Sequence, residues 1–565
     1  MPDANDVDAP QALTRREVII GALKTMLVAS VLPAAMSRVD ASGRHGAVRA
    51  VNIMNFIRAE EPREPMDLML PVREQMAMIK AHGLPSTWLL QYDALVDGPF
   101  VEFLKAEMPA DHEVGIWFEM NRRICDDAGL EWRGNPDWEW DYHVPVAYAI
   151  GYTPDERRKL ADMAVATFKR IFGRDLKSVA SWNLDAISVA HFADHHGIDA
   201  FGNCRDQLAT DGFTIWGCPI AAYYPNRVNA WSPAVDSKNQ IDTPIFRLLG
   251  QDPVYYYDNT IHSPDTMEPC WPSGQSEAFV DRFLDMLAHQ PTQAFGYAQL
   301  GQENSFGWPV MATAYKMQME KLSTVYRAGG LIVETMGETG RRFKRDFKST
   351  PTQAQVMLDD PFGHIDAPER TVWYQSKYYR ANLHFRGNDF YLRDLHVYND
   401  QFPQPFLTET VRQHGIEQRL LAALDGYHWS NGTQRAMGRF VLVDVAGNET
   451  SLTMSGVPAV TEKGSTLRAG VPLAGGGNLI VTFHEREIEF GVEGGPAHSR
   501  LRLKFEWVPD KSAFVDVAGD RLTYRFRDFD YGVRVADGTA TKTVNGVDIV
   551  AGQRGRLHLL MSQAE

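Results

Sequence analysis

The sequence predicts an α/β fold, a (β/α) barrel followed by an antiparallel β-sandwich, and two textures along the chain predict it. From about residue 49 to about residue 338, short apolar runs alternate with stretches whose apolar residues recur at helical spacing. From about residue 372, segments of alternating polarity bounded by Gly, Asn and Asp take over. Strand–helix alternation implies a parallel sheet with right-handed crossovers. About seven strands in the first part predict a closed or nearly closed barrel.

In chain order, strands are expected over 49–56, 87–91, 113–118, 178–182, 200–203, 253–257 and 295–298. Thr153-Pro154-Asp155-Glu156 reads as a helix start, with Thr as N-cap, Pro at the first helical position and an acidic first turn. Leu160, Met163, Ala164, Phe168 and Ile171 follow at helical spacing up to Gly173 as a stop. Helices are expected as well over 187–195, 277–289, 312–328 and, within the β-rich part, 408–424. Sandwich strands are expected over 439–445, 478–483, 488–492, 500–507 and 521–526, with Ala474-Gly475-Gly476-Gly477 as a turn.

At the N-terminus, Thr14-Arg15-Arg16-Glu17-Val18-Ile19-Ile20 precedes a weakly apolar run broken by Lys24, then small residues up to Ala41. Paired arginines before such a run are the twin-arginine export pattern, so residues 1–41 are expected to be a signal peptide and the working protein periplasmic or secreted. The run is too short and too charged for a stable membrane anchor. A barrel over 49–345 and a sandwich over 346–565 complete the expected organisation.

The 565 residues carry a formal net charge of −15, which argues against nucleic acid and anionic membranes as partners. Hydrophobic and charged contents of 44% and 23% are those of an ordinary globular protein. Four cysteines, at 125, 204, 218 and 270, show no metal spacing. They read as buried thiols, with a Cys204–Cys218 disulfide as the alternative. No Walker loop, no GxGxxG after a strand and no GxSxG elbow is present, so no cofactor is expected. The adjacent His195 and His196 precede Gly197, where capping a helix end is the expected role and metal binding the alternative.

Ligands of a parallel barrel bind at the carboxyl ends of its strands, so the residues that follow each strand are the candidates. These are Asp93, Glu119 behind Trp117, Asp185 behind Trp182, Asp206, Asp211 and Trp216, Asp258, and Gln302 with Glu303. Acids and amides beside aromatic faces suit a carbohydrate, and two carboxylates flanking a glycosidic bond are enough for hydrolysis. Each acid taken singly reads equally well as a turn or cap residue, Asp185 as the N-cap of the helix it precedes. The tract 203–252, with Tyr223, Tyr224, Asn226, Asn229 and Trp231, is expected to form a sugar-binding wall, an interdomain clasp being the alternative.

Two stretches resemble a known superfamily. His112-Glu113-Val114-Gly115-Ile116-Trp117 is similar to a strand of polysaccharide deacetylases, and Ser181-Trp182-Asn183-Leu184-Asp185 to the nucleophile strand of family 57 glycoside hydrolases. Both belong to the glycoside hydrolase/deacetylase superfamily, which implies an irregular (β/α)7-type barrel. Gln91 to Leu95, Gly115 to Glu119, Gln207 to Thr214, Tyr223-Tyr224-Pro225, Phe246 to Gly250, Tyr378-Tyr379-Arg380 and Arg393 to His396 resemble a set of secreted bacterial proteins with this barrel and a β-rich C-terminal part.

Deacetylases hold a divalent metal with an Asp and two His. This chain has Gly115-Ile116-Trp117-Phe118-Glu119 where that metal strand would lead, with no histidine pair. The likeness to family 57 implies a metal-independent glycoside hydrolase with Asp185 as nucleophile and Glu303 as acid/base. Asp93, Glu119 and Asp258 would then hold sugar hydroxyls, and Trp117, Trp182 and Trp216 would stack on sugar rings. A metal-dependent carbohydrate esterase and a non-catalytic glycan-binding protein are the alternatives. The sandwich is expected to buttress the barrel.

Overall fold

The computed structural model describes residues 47–250, 252–255, 266–359 and 368–561. The expected signal segment and Asp258 lie outside the described residues. No helix among the described residues is long and apolar enough to cross a membrane.

Seven parallel strands form the main path of the first half, β1 (Val48–Ile57), β2 (Thr87–Leu90), β3 (Glu113–Trp117), β4 (Ser178–Ala180), β5 (Ala200–Asn203), β6 (Ile245–Arg247) and β7 (Phe295–Leu300), and a short eighth, Ile332–Val333, pairs in parallel with β1 at Ala50 and Val51. The order along the main path is β7-β1-β2-β3-β4-β5-β6. The long β1 pairs with β7 along its first half and with β2 along its second, which staggers the sheet into a curved wall. Both faces of β1 are buried, as parallel strands flanked by helices require. Ala50, Met54 and Phe56 point inward, whereas Val51, Ile53 and Ile57 pack against the helices.

No hydrogen bonds join β6 to β7 among the described residues, and β6 pairs instead with an antiparallel strand, Ala222–Tyr223. Side chains fill this seam: the Phe246 ring lies 4.9 Å from Tyr297 and 6.1 Å from Phe295. The barrel is therefore irregular and open by one ladder. The strand expected over 253–257 is absent from its described part, because Pro253 to Tyr255 form a turn in which Asp252 accepts the Val254 N–H. The sixth strand is the three-residue β6 that follows Pro244.

The helix starting at Thr153 spans Pro154–Phe172, with a reciprocal Thr153–Glu156 capping box and Gly173 in the left-handed region at its end. Beyond the last barrel helix, Met336–Asp346, the chain forms antiparallel sheets of ten and eight strands. The glycine turn lies between Thr466–Pro472 and Asn478–Phe483. One continuous apolar core runs from the barrel interior into these sheets.

The expected helix over 408–424 is instead two strands, Ile416–Arg419 and Leu421–Asp425. Gly415 turns the chain with φ +80°, and Ile416 and Gln418 face inward while Glu417 and Arg419 face out, a period of two. Leu421 to Leu424 are buried on both faces, so their apolar run carried no period by which a strand could be told from a helix. Ile416–Arg419 pairs in parallel with Phe213–Trp216 of the barrel half.

That pairing changes the reading of the tract 203–252, which is a set of short ladders. Asp211 and Gly212, both at positive φ, make the two-residue turn of a hairpin between Gln207–Thr210 and Phe213–Trp216. Its contacts run to the β-rich half: Trp231 Nε1 donates to Gln418, Asn226 to Asp400, and the Ala222 N–H to Gln353. Gly217, at φ +94°, lets the backbone pass against His396, whose ring a Cβ would strike. The tract is an interdomain clasp, and a wall of sugar-binding aromatics is not what these buried rings build. All four cysteines are buried, and Cys204 and Cys218 are not joined in a disulfide.

Candidate active site

The carboxyl ends of β1, β3 and β7 converge on one buried ionic cluster. Arg58 leaves β1, and its backbone is clamped by Asn304, which accepts the Arg58 N–H at 3.0 Å and donates to its carbonyl at 2.8 Å. The Arg58 guanidinium then reaches Glu119 beyond β3 at 3.0 Å and Glu303 beyond β7 at 3.4 Å. Ser305 accepts from Arg58 at 3.1 Å and donates to Glu303 at 2.9 Å. Trp140 lies over the guanidinium at 4.1 Å and covers the cluster.

Burial raises the pKa of Glu119 above the usual carboxylate range; Arg58 works against this, and the charge of Glu303 adds to it. A single guanidinium touching both acids holds those oxygens no more than about 9 Å apart, which is below the upper limit of about 9.5 Å for a glycosidase carboxylate pair.

A third acid, Glu268, stands beside this pair. Gln302 donates to it at 3.2 Å and Thr266 at 3.1 Å, and burial pushes its pKa up, against Gln302 and Arg205. Around the rim, the Gln91 and Asn183 side-chain amides and the Trp182 indole N–H are buried and reach no protein partner. Such groups are rare in folded proteins, and a polar ligand in the site would satisfy them.

The remaining expected site residues lie elsewhere. Asp185 caps the helix Ala186–His196: Oδ1 accepts the Ile187 and Ser188 N–H groups, Oδ2 accepts from Ser188 Oγ at 2.6 Å, and Arg157 pairs with Oδ1 at 3.1 Å. Both oxygens are committed to the scaffold, so the geometry speaks against Asp185 as a nucleophile. Asp93 accepts the N–H groups of Ala59, Glu60 and Ala94, tying the loop after β1 to the end of β2.

Trp117 has one face stacked on Phe56 at 4.2 Å and Trp182 edge-on at 4.8 Å, so it is core beneath the site and not a sugar platform. Trp216 packs against Tyr427, and Asp206 binds Arg247 at 3.0 Å and Arg380 at 2.6 Å. Both belong to the clasp, and Asp211 is the turn residue already described. Of the expected set, Glu119, Glu303, Gln302 and Trp182 come together, with Asp93 bracing the loop behind Arg58.

Arg58, Ser305, Glu268 and Trp140 are the members of this cluster missing from the sequence reading. Reading past the end of β1 as past the other strands would have found Arg58. The donor set does not fit the divalent ion of the deacetylase-type barrel. The position between the two acids is taken by a guanidinium, and no histidine of the described residues joins the cluster. His112 and Glu113, where the deacetylase likeness begins, sit at the opposite end of β3; His112 accepts the Trp88 indole N–H, and Glu113 accepts from the Gly337 N–H.

No family model and no curated protein matches the chain. Among solved structures it is similar to one from Parabacteroides distasonis named as a candidate glycoside hydrolase/deacetylase, at 17% identity. That match has a TM-score of 0.51 and covers 66% of this chain and 91% of the other. It is also similar to a candidate polysaccharide deacetylase from Mycobacterium smegmatis, at 14% identity and a TM-score of 0.34, covering 56% of this chain and 96% of the other. The first likeness shows the fold: an irregular (β/α) barrel like that of the Parabacteroides distasonis protein, with a β-rich part after it in this chain.

Proposed function

We propose that this protein is a carbohydrate-processing hydrolase, and specifically a glycoside hydrolase whose working pair is Glu119 and Glu303. The observation that supports it is the pair itself: two buried carboxylates at the barrel's ligand-binding end, bridged by one arginine and rimmed by unsatisfied amides. Glu119, whose pKa is raised by burial against the pull of Arg58, is the acid that protonates the departing glycosidic oxygen as that C–O bond breaks. Glu303, positioned by Ser305 and Arg58, attacks the anomeric carbon or takes the proton of the water that does so. The anomeric configuration of the product distinguishes these two routes. Gln91, Asn183 and Trp182 hydrogen-bond the sugar, and Trp140 must swing aside to admit it. The paired arginines of the first twenty residues support export by the twin-arginine route and work in the periplasm or outside the cell.

The test is sugar release from a panel of aryl glycosides and oligosaccharides by wild type, Glu119→Gln and Glu303→Gln, with and without EDTA. Loss of an acid/base group costs about 10²–10⁴-fold in turnover, so each variant should fall by that much and EDTA should change nothing. Turnover of both variants within about tenfold of wild type, about 1.4 kcal/mol of transition-state stabilisation, would overturn the assignment. Release of acetate in place of sugar would move the protein to deacetylation.

A further inference from the structure

Helices Pro154–Phe172 and Ala186–His196 pack side by side on the outer wall of the barrel. The second begins at the carboxyl end of β4 and runs back toward the start of β5, so its last turn lies far from the Glu119–Glu303 end. Gly197, at φ +62°, terminates this helix, which leaves His196 free of a capping duty. Its ring reaches across to the neighbouring helix instead. Asp162 Oδ1 lies 2.7 Å from His196 Nε2 and 2.7 Å from His191 Nε2. All three ligand atoms fall within 4.8 Å of one another.

We propose that Asp162, His191 and His196 form a zinc site that staples these two helices. Two imidazole nitrogens and one carboxylate oxygen are a donor set that zinc accepts and that calcium and magnesium, which take oxygen ligands, do not. Ligands about 2.0–2.2 Å from a tetrahedral zinc sit roughly 3.4 Å from each other, so Asp162 Oδ1 needs to draw back from each ring nitrogen by less than an ångström. The Asp162 side chain is 55% exposed and can retreat with little repacking, whereas the two rings, at 12% and 19%, are held by their surroundings. Binding displaces the Nε2 protons that now point at Asp162, and water fills the fourth position. Asp194, paired with Arg227, and the exposed His195 flank the cluster without joining it.

The experiment titrates EDTA-stripped full chain with zinc chloride by calorimetry and follows thermal unfolding in parallel. Wild type and His195→Ala should bind about one equivalent and gain in melting temperature, with no gain from magnesium at the same concentration. H191A/H196A should bind at least tenfold more weakly and lose the thermal shift. Its unfolding curve without zinc checks that it folds; if it does not, H191N/H196N takes its place. Equal zinc binding by wild type and the double variant, or no thermal shift in wild type, would overturn the site and leave the cluster an ordinary hydrogen-bonded triad.

Discussion

Replacing Arg380 with Met should destabilise the whole chain without touching the active site. The guanidinium is buried between two buried acids: it meets Asp394 at 3.1 and 2.9 Å, Asp206 at 2.6 Å, and the Cys218 carbonyl at 2.7 Å. Removing one partner of a buried ion pair costs about 3–5 kcal/mol, because the other charge is stranded. Here each acid keeps a second partner. Asp206 retains Arg247 at 3.0 Å and Asp394 retains His396 at 2.9 Å, so the expected loss is at the lower end, about 3 kcal/mol.

The pH dependence carries a sign. Burial works to raise both carboxylates, but Arg380, with Arg247 or His396, outweighs it and holds them below their ordinary range. In wild type their contribution is present above about pH 3.9, the unfolded value, and is lost as pH falls through the lowered folded values. Without Arg380 the same carboxylates rise and take up protons on the way down. The deficit of Arg380→Met is therefore largest near pH 7 and narrows toward about pH 4. Urea unfolding followed by tryptophan emission is a suitable assay, since Trp216 and Trp373 flank the guanidinium at 6.0 and 5.3 Å. A midpoint shift at unchanged m reads the loss, and R380M/D394N should recover part of it. A loss under about 1 kcal/mol at pH 7, or a deficit indifferent to pH, would refute the stranded-charge argument.

Two further outcomes separate scaffold from chemistry. Asp185→Ala removes the carboxylate paired with buried Arg157, which keeps its carbonyl acceptors, and removes a helix cap, so stability should fall by about 3 kcal/mol while turnover of the folded fraction stays at the wild-type value; a thousandfold drop in that turnover would restore Asp185 to the site. Burial pushes Asp93 up to about 7 against its three backbone donors and Arg58. Between about pH 4 and that value the folded chain holds a proton the unfolded chain has lost, so the Asp93 contribution declines as pH rises through this window. Asp93→Asn should flatten that part of the stability–pH curve measured by urea unfolding, and an unchanged slope would contradict it.

The barrel was readable wherever local chemistry fixed an element. Thr153, Glu156 and Gly173 announce both ends of one helix, and β5 is framed by a helix stop and polar loop residues. What escaped was set by distant partners. β6 has three residues and is a strand only because β5 and Ala222–Tyr223 lie on either side of it. Leu421 to Leu424 look helical by composition, and only the sheet at their back makes them extended. In the site, Glu119 and Glu303 were visible as strand-end acids. Arg58, however, reads as an ordinary loop arginine until two other strand ends close over it. Asp185 offered two readings, cap and nucleophile, and only the positions of Arg157 and Ser188 decide between them.

The ladder between Ile416–Arg419 and Phe213–Trp216 joins residues some two hundred positions apart. On the ribosome, the earlier strand emerges long before its neighbour has been made, and its hairpin must wait with an unsatisfied edge. The barrel half therefore lacks this ladder as a nascent fragment, and a chain truncated before residue 416 should be cleaved faster by protease than the full chain. Completion of synthesis acts as a checkpoint. If the chain is exported folded, as proposed above, such a checkpoint would ensure that only a finished molecule presents a finished surface.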